Sequence, residues 1–397
     1  MLSATLLNAM VLVAVVVGLL LLSSRRLRRS RQWRATVTPL ASIIGSGFLI
    51  VAPLLHAVLT LVAYCIGAVI RFNIIHAEQW VEGFPRGLVA RLDSLSQWLL
   101  GLAYTISVAF YASLLAAFVF EKLAISDGMG VRWAATGLLA GVMAVAWVRG
   151  AKGLETVELV AVTIKVAIIG GILLVLAYYD GATGTDWFEH EPLQPLSLYK
   201  TSAVLAGMLM VTQGFETARF MGEHYSREVR VTAVKHSQRI ATGIYVIFIG
   251  VTCPIFLKFP LVELNETAVS KTLGQVVTTM PLFLLVAAVA SQLSAALADT
   301  IGGGGLFQQR VPLRLPANAF YVMVAGLAVA LLWTADVFEL INYASKGFAS
   351  YYLLQVLIAI GLVWQGGHGS RRWLVALTLL ALLLLFVVVG SIAAPHG

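Results

Sequence analysis

Long apolar segments recur from one end of the chain to the other. A membrane-spanning helix needs about 20 predominantly apolar residues, and the pattern predicts about twelve such helices, here called helices 0 to 11. Helix 0 covers roughly Leu6 to Leu22, and helices 1 to 11 lie near 36–56, 58–79, 95–120, 132–148, 156–179, 201–224, 238–258, 276–300, 317–334, 338–364 and 373–393. The chain is therefore predicted to be an all-α polytopic membrane protein.

The composition agrees with that prediction. Of the 397 residues, 59% are hydrophobic and only 12% are charged, whereas soluble domains carry about 25% charged residues. This excludes a soluble enzyme or a nucleic-acid binder, although the net charge is +8. Cys65 and Cys253 both lie within apolar segments, so they suggest neither a metal site nor a disulfide framework.

The distribution of basic residues predicts the orientation. An arginine-rich segment, 25–34, follows helix 0, and no basic residue precedes that helix. Secretory signals have the reverse order and a cleavage site, so helix 0 is interpreted as a retained helix. With segment 25–34 in the cytoplasm, most of the 27 Lys and Arg residues face that side. The net positive charge is thus explained by insertion in the cytoplasmic (inner) membrane and by contact with anionic lipid headgroups.

Two helices carry glycine motifs near their midpoints. Helix 1 contains Ile44, Gly45, Ser46 and Gly47, and helix 6 contains Gln213, Gly214, Phe215 and Glu216. Close helix packing explains either motif alone, but it explains the pair less well, because the two helices open the two halves of a ten-helix core. Transporters built from inverted repeats form their site from discontinuous helices at corresponding places. Freed amide and carbonyl groups there suit a zwitterion such as an amino acid.

These motifs resemble a known family. Segment 38–49 is similar to the first core helix of the amino acid–polyamine–organocation (APC) superfamily, which typically reads Ile-Gly-Ser-Gly-Ile-Phe. Residues 213–216, with 222–224 and 227–230, resemble its sixth core helix and the basic loop that follows. The resemblance covers about residues 36 to 365 and implies a five-plus-five inverted-repeat (LeuT-like) core.

The predicted organisation follows from that resemblance. Residues 1–35 form an extra transmembrane helix and a basic cytoplasmic linker, 36–179 the first five-helix repeat, and 201–365 the second. Residues 366–397 contain a peripheral transmembrane helix, and helices 0 and 11 face lipid or form an oligomer contact. Segment 180–200 is interpreted as an external loop, solvated rather than capping a vestibule. The run Gly302–Gly305 is interpreted as a flexible connection between helices 8 and 9.

Lys165, at the centre of helix 5, is the first candidate for coupling. A charged residue at mid-membrane costs roughly 2.5–3.5 kcal/mol, so it is a functional candidate by default. The resemblance implies that its ammonium takes the place of a sodium ion, as in proton-coupled or sodium-independent APC members. The alternative is a permanently charged brace bonded to the carbonyls of broken helix 1. Ser291 and Ser294 on helix 8 are further coupling candidates, although packing between helices also explains serines there.

Other polar and aromatic residues complete the candidate site. Glu216 and Arg219 are three apart and are expected to pair with each other rather than to contact substrate. Asp299 and Lys346 are a second candidate pair. Tyr111, Phe215 and Phe348 are candidate walls, with ordinary core packing as the alternative. The candidate substrate-binding residues are Ile44, Gly45, Ser46, Gly47, Tyr111, Gln213, Gly214, Phe215 and Glu216.

The sequence therefore predicts a secondary transporter, a symporter or antiporter, that moves an amino acid or related small amine by alternating access. No cofactor or nucleic acid is expected, and the oligomeric state is open between a homo-oligomer and a complex with a partner subunit. The alternative function is a transport-incompetent solute sensor or membrane partner subunit. A membrane-embedded enzyme is disfavoured, because the motifs His-Glu-x-x-His and Gly-x-Ser-x-Gly do not occur within the spans.

Overall fold

The computed structural model describes residues 3–44, 53–125, 127–184, 213–221, 225–259, 268–312, 314–366 and 371–390. Regular structure in these ranges is helical throughout. Nine of the described helices are long and apolar enough to cross a membrane. Parts of predicted helices 1 and 6, including Gly45, Ser46 and Gly47, lie outside the described residues.

The helices follow one another along the chain with short connections. The first six are α1 Ala4–Leu22, α2 Arg25–Arg29, α3 Arg31–Ile43, α4 Pro53–Gly83, α5 Leu88–Lys122 and α6 Gly128–Thr183. A 3-10 helix, η1 (Phe215–Phe220), comes next. The remaining six are α7 Arg227–Lys258, α8 Ala268–Val276, α9 Met280–Arg310, α10 Ala317–Thr334, α11 Val337–Gly366 and α12 Arg371–Gly390.

Predicted helices 4 and 5 are the two halves of α6, separated by a break at Gly150. The backbone of Gly150 has φ 60° and ψ −156°, a conformation that is essentially confined to glycine. Asn318, at the start of α10, donates a hydrogen bond from Nδ2 to the carbonyl oxygen of Trp147 at 3.0 Å. This bond satisfies a carbonyl at the end of the first half, so Asn318 links the break to α10.

The centre of the fold is formed by α5, which packs most extensively against α9 and α11. Glycines in α9 allow a neighbouring helix, α10, to approach closely. A Cβ atom at Gly304 would lie 2.2 Å from the ring of Tyr321 on α10. The prediction that Gly302–Gly305 is a flexible connection is therefore wrong. The run lies inside α9, and Gly302, Gly303 and Gly304 pack closely against α5 and α10, where small residues are needed.

The first and last long helices pack against the outside of this core. One face of α1 buries Leu7, Val11 and Val15 against α6, and α12 packs against α11. Most of their other side chains are exposed. Apolar side chains exposed on such helices are suited to contact with lipid.

Candidate functional site

The candidate site begins where α3 ends at Ile43. The last carbonyl groups of a helix have no partner within it, and here side chains from other helices provide the partners. The fully buried Lys165 reaches this point from α6. Its Nζ donates to the carbonyl oxygens of Ala41 and Ile44, each at 2.7 Å, and to Ser294 Oγ at 2.9 Å. The three N–H donors of the ammonium are thus all used.

The α9 serines contact the same place. Ser291 Oγ donates to the carbonyl oxygen of Ile44 at 3.0 Å, and Ser294 Oγ donates to the carbonyl oxygen of Ser291 at 3.0 Å. The structure therefore brings Ile44, Lys165, Ser291 and Ser294 together; we call these four residues with Ala41 the Lys165 cluster. It links α3, α6 and α9 through a single buried cation.

Tyr245 on α7, which sequence reasoning missed, provides a further contact to the end of α3. Its hydroxyl donates to the carbonyl oxygen of Ile43 at 2.7 Å. A cavity beside this bond, between α3, α4, η1 and α7, is lined in part by Ile43, Phe215, Thr242 and Tyr245. Nothing in the local sequence distinguishes Tyr245 from other aromatic residues of a span, so only the three-dimensional arrangement identifies it.

Glu216 is held at the start of η1 by backbone and tyrosine donors. The Gly214 backbone N–H donates to Glu216 Oε2 at 2.8 Å. The Tyr352 hydroxyl donates to the same oxygen at 2.7 Å, and the Tyr104 hydroxyl donates to Oε1 at 3.2 Å. The Phe215 ring stacks on Tyr352 with centroids 5.7 Å apart. Glu216 is therefore a fully buried carboxyl group with three donors and a stacked aromatic pair beside it.

The expected pairing of Glu216 with Arg219 is wrong. Arg219 NH2 contacts Asp93 Oδ1 at 2.6 Å, and the carboxyl group of Glu216 turns instead toward Tyr104 and Tyr352. Arg219 lies at the opposite end of η1, next to the start of α5, so Asp93 is the acid within its reach. The sequence analysis misses this pair, because Asp93 precedes the predicted start of helix 3 near 95.

The candidate pair of Asp299 and Lys346 is also wrong, because Asp299 bonds to serine hydroxyls instead. Asp299 is fully buried in α9 and accepts hydrogen bonds from Ser42 Oγ, at 3.1 Å, and from Ser107 Oγ. Gln213 Nε2 donates to Ser42 Oγ and to the Tyr111 hydroxyl, each at 3.1 Å. Serine hydroxyl groups of α3 and α5 thus satisfy the hydrogen bonding of the Asp299 carboxyl group. Through Ser42, the same set of hydrogen bonds joins Gln213 and Tyr111 to α3.

The predicted wall residues are all buried. Tyr111 and Phe215 are each 1% exposed, and Phe348 is 0% exposed. The Phe348 ring meets Tyr104 edge-on, with centroids 5.7 Å apart. Aromatic and carboxyl groups therefore surround the region where α3 ends and η1 begins, which is an arrangement suited to a small polar ligand with apolar parts.

A second group of polar contacts lies at the helix ends that the positive-inside rule places in the cytoplasm. Arg230 donates to both carboxylate oxygens of Glu78 and to the carbonyl oxygen of Arg219, all at 2.7 Å. Asp93 also accepts from Gln97 Nε2 at 2.9 Å. Arg310 Nε donates to Gln97 Oε1 at 2.8 Å. We call the residues that form these bonds the cytoplasmic network; they are Glu78, Asp93, Gln97, Arg219, Arg230 and Arg310.

Comparisons with known proteins agree with this architecture. A family model described as an APC superfamily transporter matches residues 25–391. An uncharacterized protein of Aquifex aeolicus (strain VF5) is 38% identical over 406 residues and covers 97% of each chain. The structure of a Na+-coupled sialic acid symporter, in a substrate-bound outward-open state, superposes with a TM-score of 0.56 at 10% identity. It covers 99% of this chain and 98% of its own, and it confirms the predicted LeuT-like fold class.

Proposed function

The chain belongs to the APC superfamily of transporters, and from that premise we propose that it carries an amino acid or a related small amine without sodium. The family and the fold support a multi-pass secondary transporter. The proposal concerns the substrate class and the coupling. It also includes the cytoplasmic membrane as the location.

The observation that carries the proposal is the position of the Lys165 ammonium. It lies between the free carbonyl groups of α3 and the hydroxyls of α9. Carbonyl and hydroxyl oxygens are ligands that a hard cation such as Na+ would use in the same place. A lysine there supplies the positive charge from the chain itself, which favours transport that does not require sodium and that can be coupled to protons.

The groups near the end of α3 favour a substrate that carries an amine. Two carboxyl groups, of Glu216 and Asp299, are fully buried close to this point. Both accept hydrogen bonds from hydroxyl groups, and Glu216 also accepts one from the Gly214 backbone N–H. A substrate ammonium is the complementary charge. Alternating access would then move α3 and η1 against α5, α9, α10 and the first half of α6.

Ligand-dependent stability tests the substrate class first. A ligand that binds only the folded protein raises its melting temperature by mass action. Purified full-length protein is screened against amino acids, amines and nucleobases at two pH values, with and without sodium. We expect shifts with amino acids or amines that do not depend on sodium. A response limited to nucleobases, or one that requires sodium, would contradict the proposal.

The variant Lys165→Ala tests the coupling. In liposomes, wild-type uptake of the amino acid or amine found in the screen should depend on pH and not on sodium. The variant should lose the pH dependence, and the vacated oxygen ligands should make its melting temperature rise with sodium. Lys346→Ala, which removes the half-buried lysine of α11, is the matched control. An unchanged pH profile in Lys165→Ala would identify Lys165 as a structural brace.

The alternative, a sensor or partner subunit, makes a different prediction for the same protein. It would bind the ligand without moving it, so a thermal shift would occur without uptake into liposomes. Gly45→Leu links both outcomes to the broken helix, because it should abolish binding while membrane insertion is kept. Unchanged binding in that variant would contradict a site at the predicted break.

A further inference from the structure

The second half of α6 carries a row of titratable residues that leads toward Lys165. The row consists of Glu155, Glu158 and Lys165, with Val162 between the last two. Successive positions are three, four and three residues apart, so all four side chains share one helix face. Glu155 is partly exposed, Glu158 is 1% exposed and Lys165 is 0% exposed. The row therefore runs from the helix end predicted to face the cytoplasm to the centre of the fold.

Glu158 is the unusual member of this row. Neither of its carboxylate oxygens has a hydrogen-bond partner of normal geometry among the residues that the structure describes. The hydroxyl-bearing Thr38 on α3 faces it. A buried charge is retained when it is paired and hydrogen-bonded. A carboxyl group in this environment is instead suited to hold a proton, and neither the Lys165 cluster nor the cytoplasmic network uses it.

The charged and titratable groups around Glu158 come from several elements. Glu155 and Lys165 act on it from its own helix, and Asp299 acts on it from α9. At the side predicted to face the cytoplasm, the phenol group of Tyr225 interacts electrostatically with Glu155 and Glu158. It also interacts with two arginines of α3, Arg31 and Arg34. Basic and phenolic groups thus lie near the end of the row that is predicted to face the cytoplasm, where a proton would meet water.

An apolar plug separates Glu158 from Lys165. Val37 and Ala41 of α3, Val162 of α6 and Ala298 of α9 pack together as one buried group. Two helical turns, about 10 Å along the axis, separate the backbones of the two titratable residues, and Val162 of the plug lies between them on the same helix face. Water that enters when α3, α6 and α9 separate would provide a path for a proton between the two groups.

We propose that Glu158 is a proton-binding site on the cytoplasmic route to Lys165. When the plug of Val37, Ala41, Val162 and Ala298 parts and water enters, Glu158 first releases its proton to cytoplasmic water past Glu155. The resulting carboxylate then accepts one proton through water from the Lys165 ammonium, which leaves a neutral amine and a carboxylic acid. The role of Lys165 rests on the proposed function, whereas proton binding by Glu158 can be measured without any substrate.

Infrared spectroscopy tests proton binding directly. Spectra of the full-length protein in liposomes, recorded across a pH series, report the carbonyl stretch of protonated carboxyl groups. We expect a pH-dependent signal in the wild type that is lost in Glu158→Gln and kept in Glu121→Gln, which removes an exposed carboxyl group. Identical signals in the wild type and Glu158→Gln would overturn the proposal. If Glu158→Gln does not fold, Glu158→Asp replaces it, and we expect that variant to shift the frequency of the pH-dependent carbonyl band. A band at the wild-type frequency in Glu158→Asp would also overturn the proposal.

Transport tests the place of Glu158 in the cycle, with the amino acid or amine identified by the stability screen as probe. In Glu158→Gln we expect accumulation driven by a pH gradient to fall at least tenfold. Exchange of labelled for unlabelled substrate without a gradient should stay within twofold of the wild type. Equal loss of both activities, or of neither, would overturn the relay role. Absence of any flux in the wild type would contradict the proposed function instead, while the infrared result would still decide whether Glu158 binds a proton.

Discussion

Gly214 is the residue at which the backbone of η1 meets the end of α3. Its φ of 126° is a conformation that L side chains rarely adopt, and a Cβ atom there would lie 2.5 Å from Ser42 Cβ and 2.7 Å from the Ile43 nitrogen. Its N–H also holds Glu216. We expect Gly214→Ala to destabilise the protein by about 1–3 kcal/mol from backbone strain alone, and to weaken ligand binding by displacing α3.

Gly243→Ala on α7 is the matched control for this prediction. A Cβ atom at Gly243 meets nothing within 4 Å, and alanine in a helix interior is favoured over glycine by roughly 0.5–1 kcal/mol. Thermal unfolding with and without ligand compares the two variants. If both variants melted alike and bound ligand alike, Gly214 would have no special role at the contact between α3 and η1.

At the residue scale, contacts that are set by one helix position are the easiest to predict. Bonding of Lys165 to the carbonyl groups of broken helix 1 is one of the two alternatives predicted for it, and its Nζ donates to the carbonyl oxygens of Ala41 and Ile44. Packing between helices is the favoured prediction for the α9 serines, yet Ser291 donates to the carbonyl oxygen of Ile44. The partners of Glu216 and Arg219 could not be predicted in this way. Tyr104, Tyr352 and Asp93 are 112, 136 and 126 positions away from the residues that they contact. Only tertiary packing decides which of many polar residues lies opposite.

At the element scale, α1 packs against α6 through small residues. A Cβ atom at Gly171 would lie 2.8 Å from Val15 Cγ2 and 3.2 Å from the Val15 nitrogen, whereas one at the adjacent Gly170 would meet nothing within 4 Å. We therefore expect Gly171→Leu to separate α1 from α6 and to cost roughly 1–3 kcal/mol by overpacking. Gly170→Leu should be close to neutral.

Thermal stability and amide hydrogen exchange in α1 measure this difference. Faster exchange across α1 in Gly171→Leu, with wild-type exchange in Gly170→Leu, is the expected result. Equal exchange in the two variants would mean that the contact with α6 does not hold α1 in place. The comparison is sharp because the two glycines are adjacent in the sequence, and only Gly171 is buried against α1.

The break in α6 provides a second prediction at this scale. Alanine at Gly150 would adopt a glycine-only conformation, and its Cβ would lie 2.6 Å from Asn318 Oδ1. We expect Gly150→Ala to destabilise by about 1–3 kcal/mol. Gly141→Ala, an exposed helical position without neighbours, is the control. If Gly150→Ala melted at the same temperature as the control, the break in α6 would not require the glycine conformation at residue 150.

Helix ends were harder to predict than helix interiors, and α5 illustrates the reason. Helix 3 is predicted to begin near 95, whereas α5 begins at Leu88 and includes Arg91 and Asp93. Polar residues that are paired inside the protein look, in the sequence alone, like residues in water. Asp93 was therefore placed outside the helix, and its ion pair with Arg219 was missed. The glycine run of α9 was misjudged for a similar reason, since packing overrides its local flexibility.

At the scale of the whole molecule, the cytoplasmic network joins five separate elements at one end of the bundle. Glu78 lies on α4, Asp93 and Gln97 on α5, Arg219 on η1, Arg230 on α7 and Arg310 on α9. A transporter that works by alternating access must separate some of these elements when it opens to that side. The network is therefore a set of bonds that stabilises closure of the predicted cytoplasmic side.

Arg230 makes three bonds within this network, two to Glu78 and one to the Arg219 carbonyl oxygen. Each hydrogen bond to a charged group contributes about 1.5–3 kcal/mol when it is buried, but Glu78 keeps some contact with water, with 21% of its side chain exposed. We thus expect Arg230→Met to favour the cytoplasm-open state and to speed amide exchange in η1 and the first turns of α5. Lys235→Met, at an exposed position of the same helix, removes the same charge without touching the network. Equal exchange in the two variants would show that apolar packing between the helices maintains closure, and that the ion pairs of Arg230 do not stabilise it.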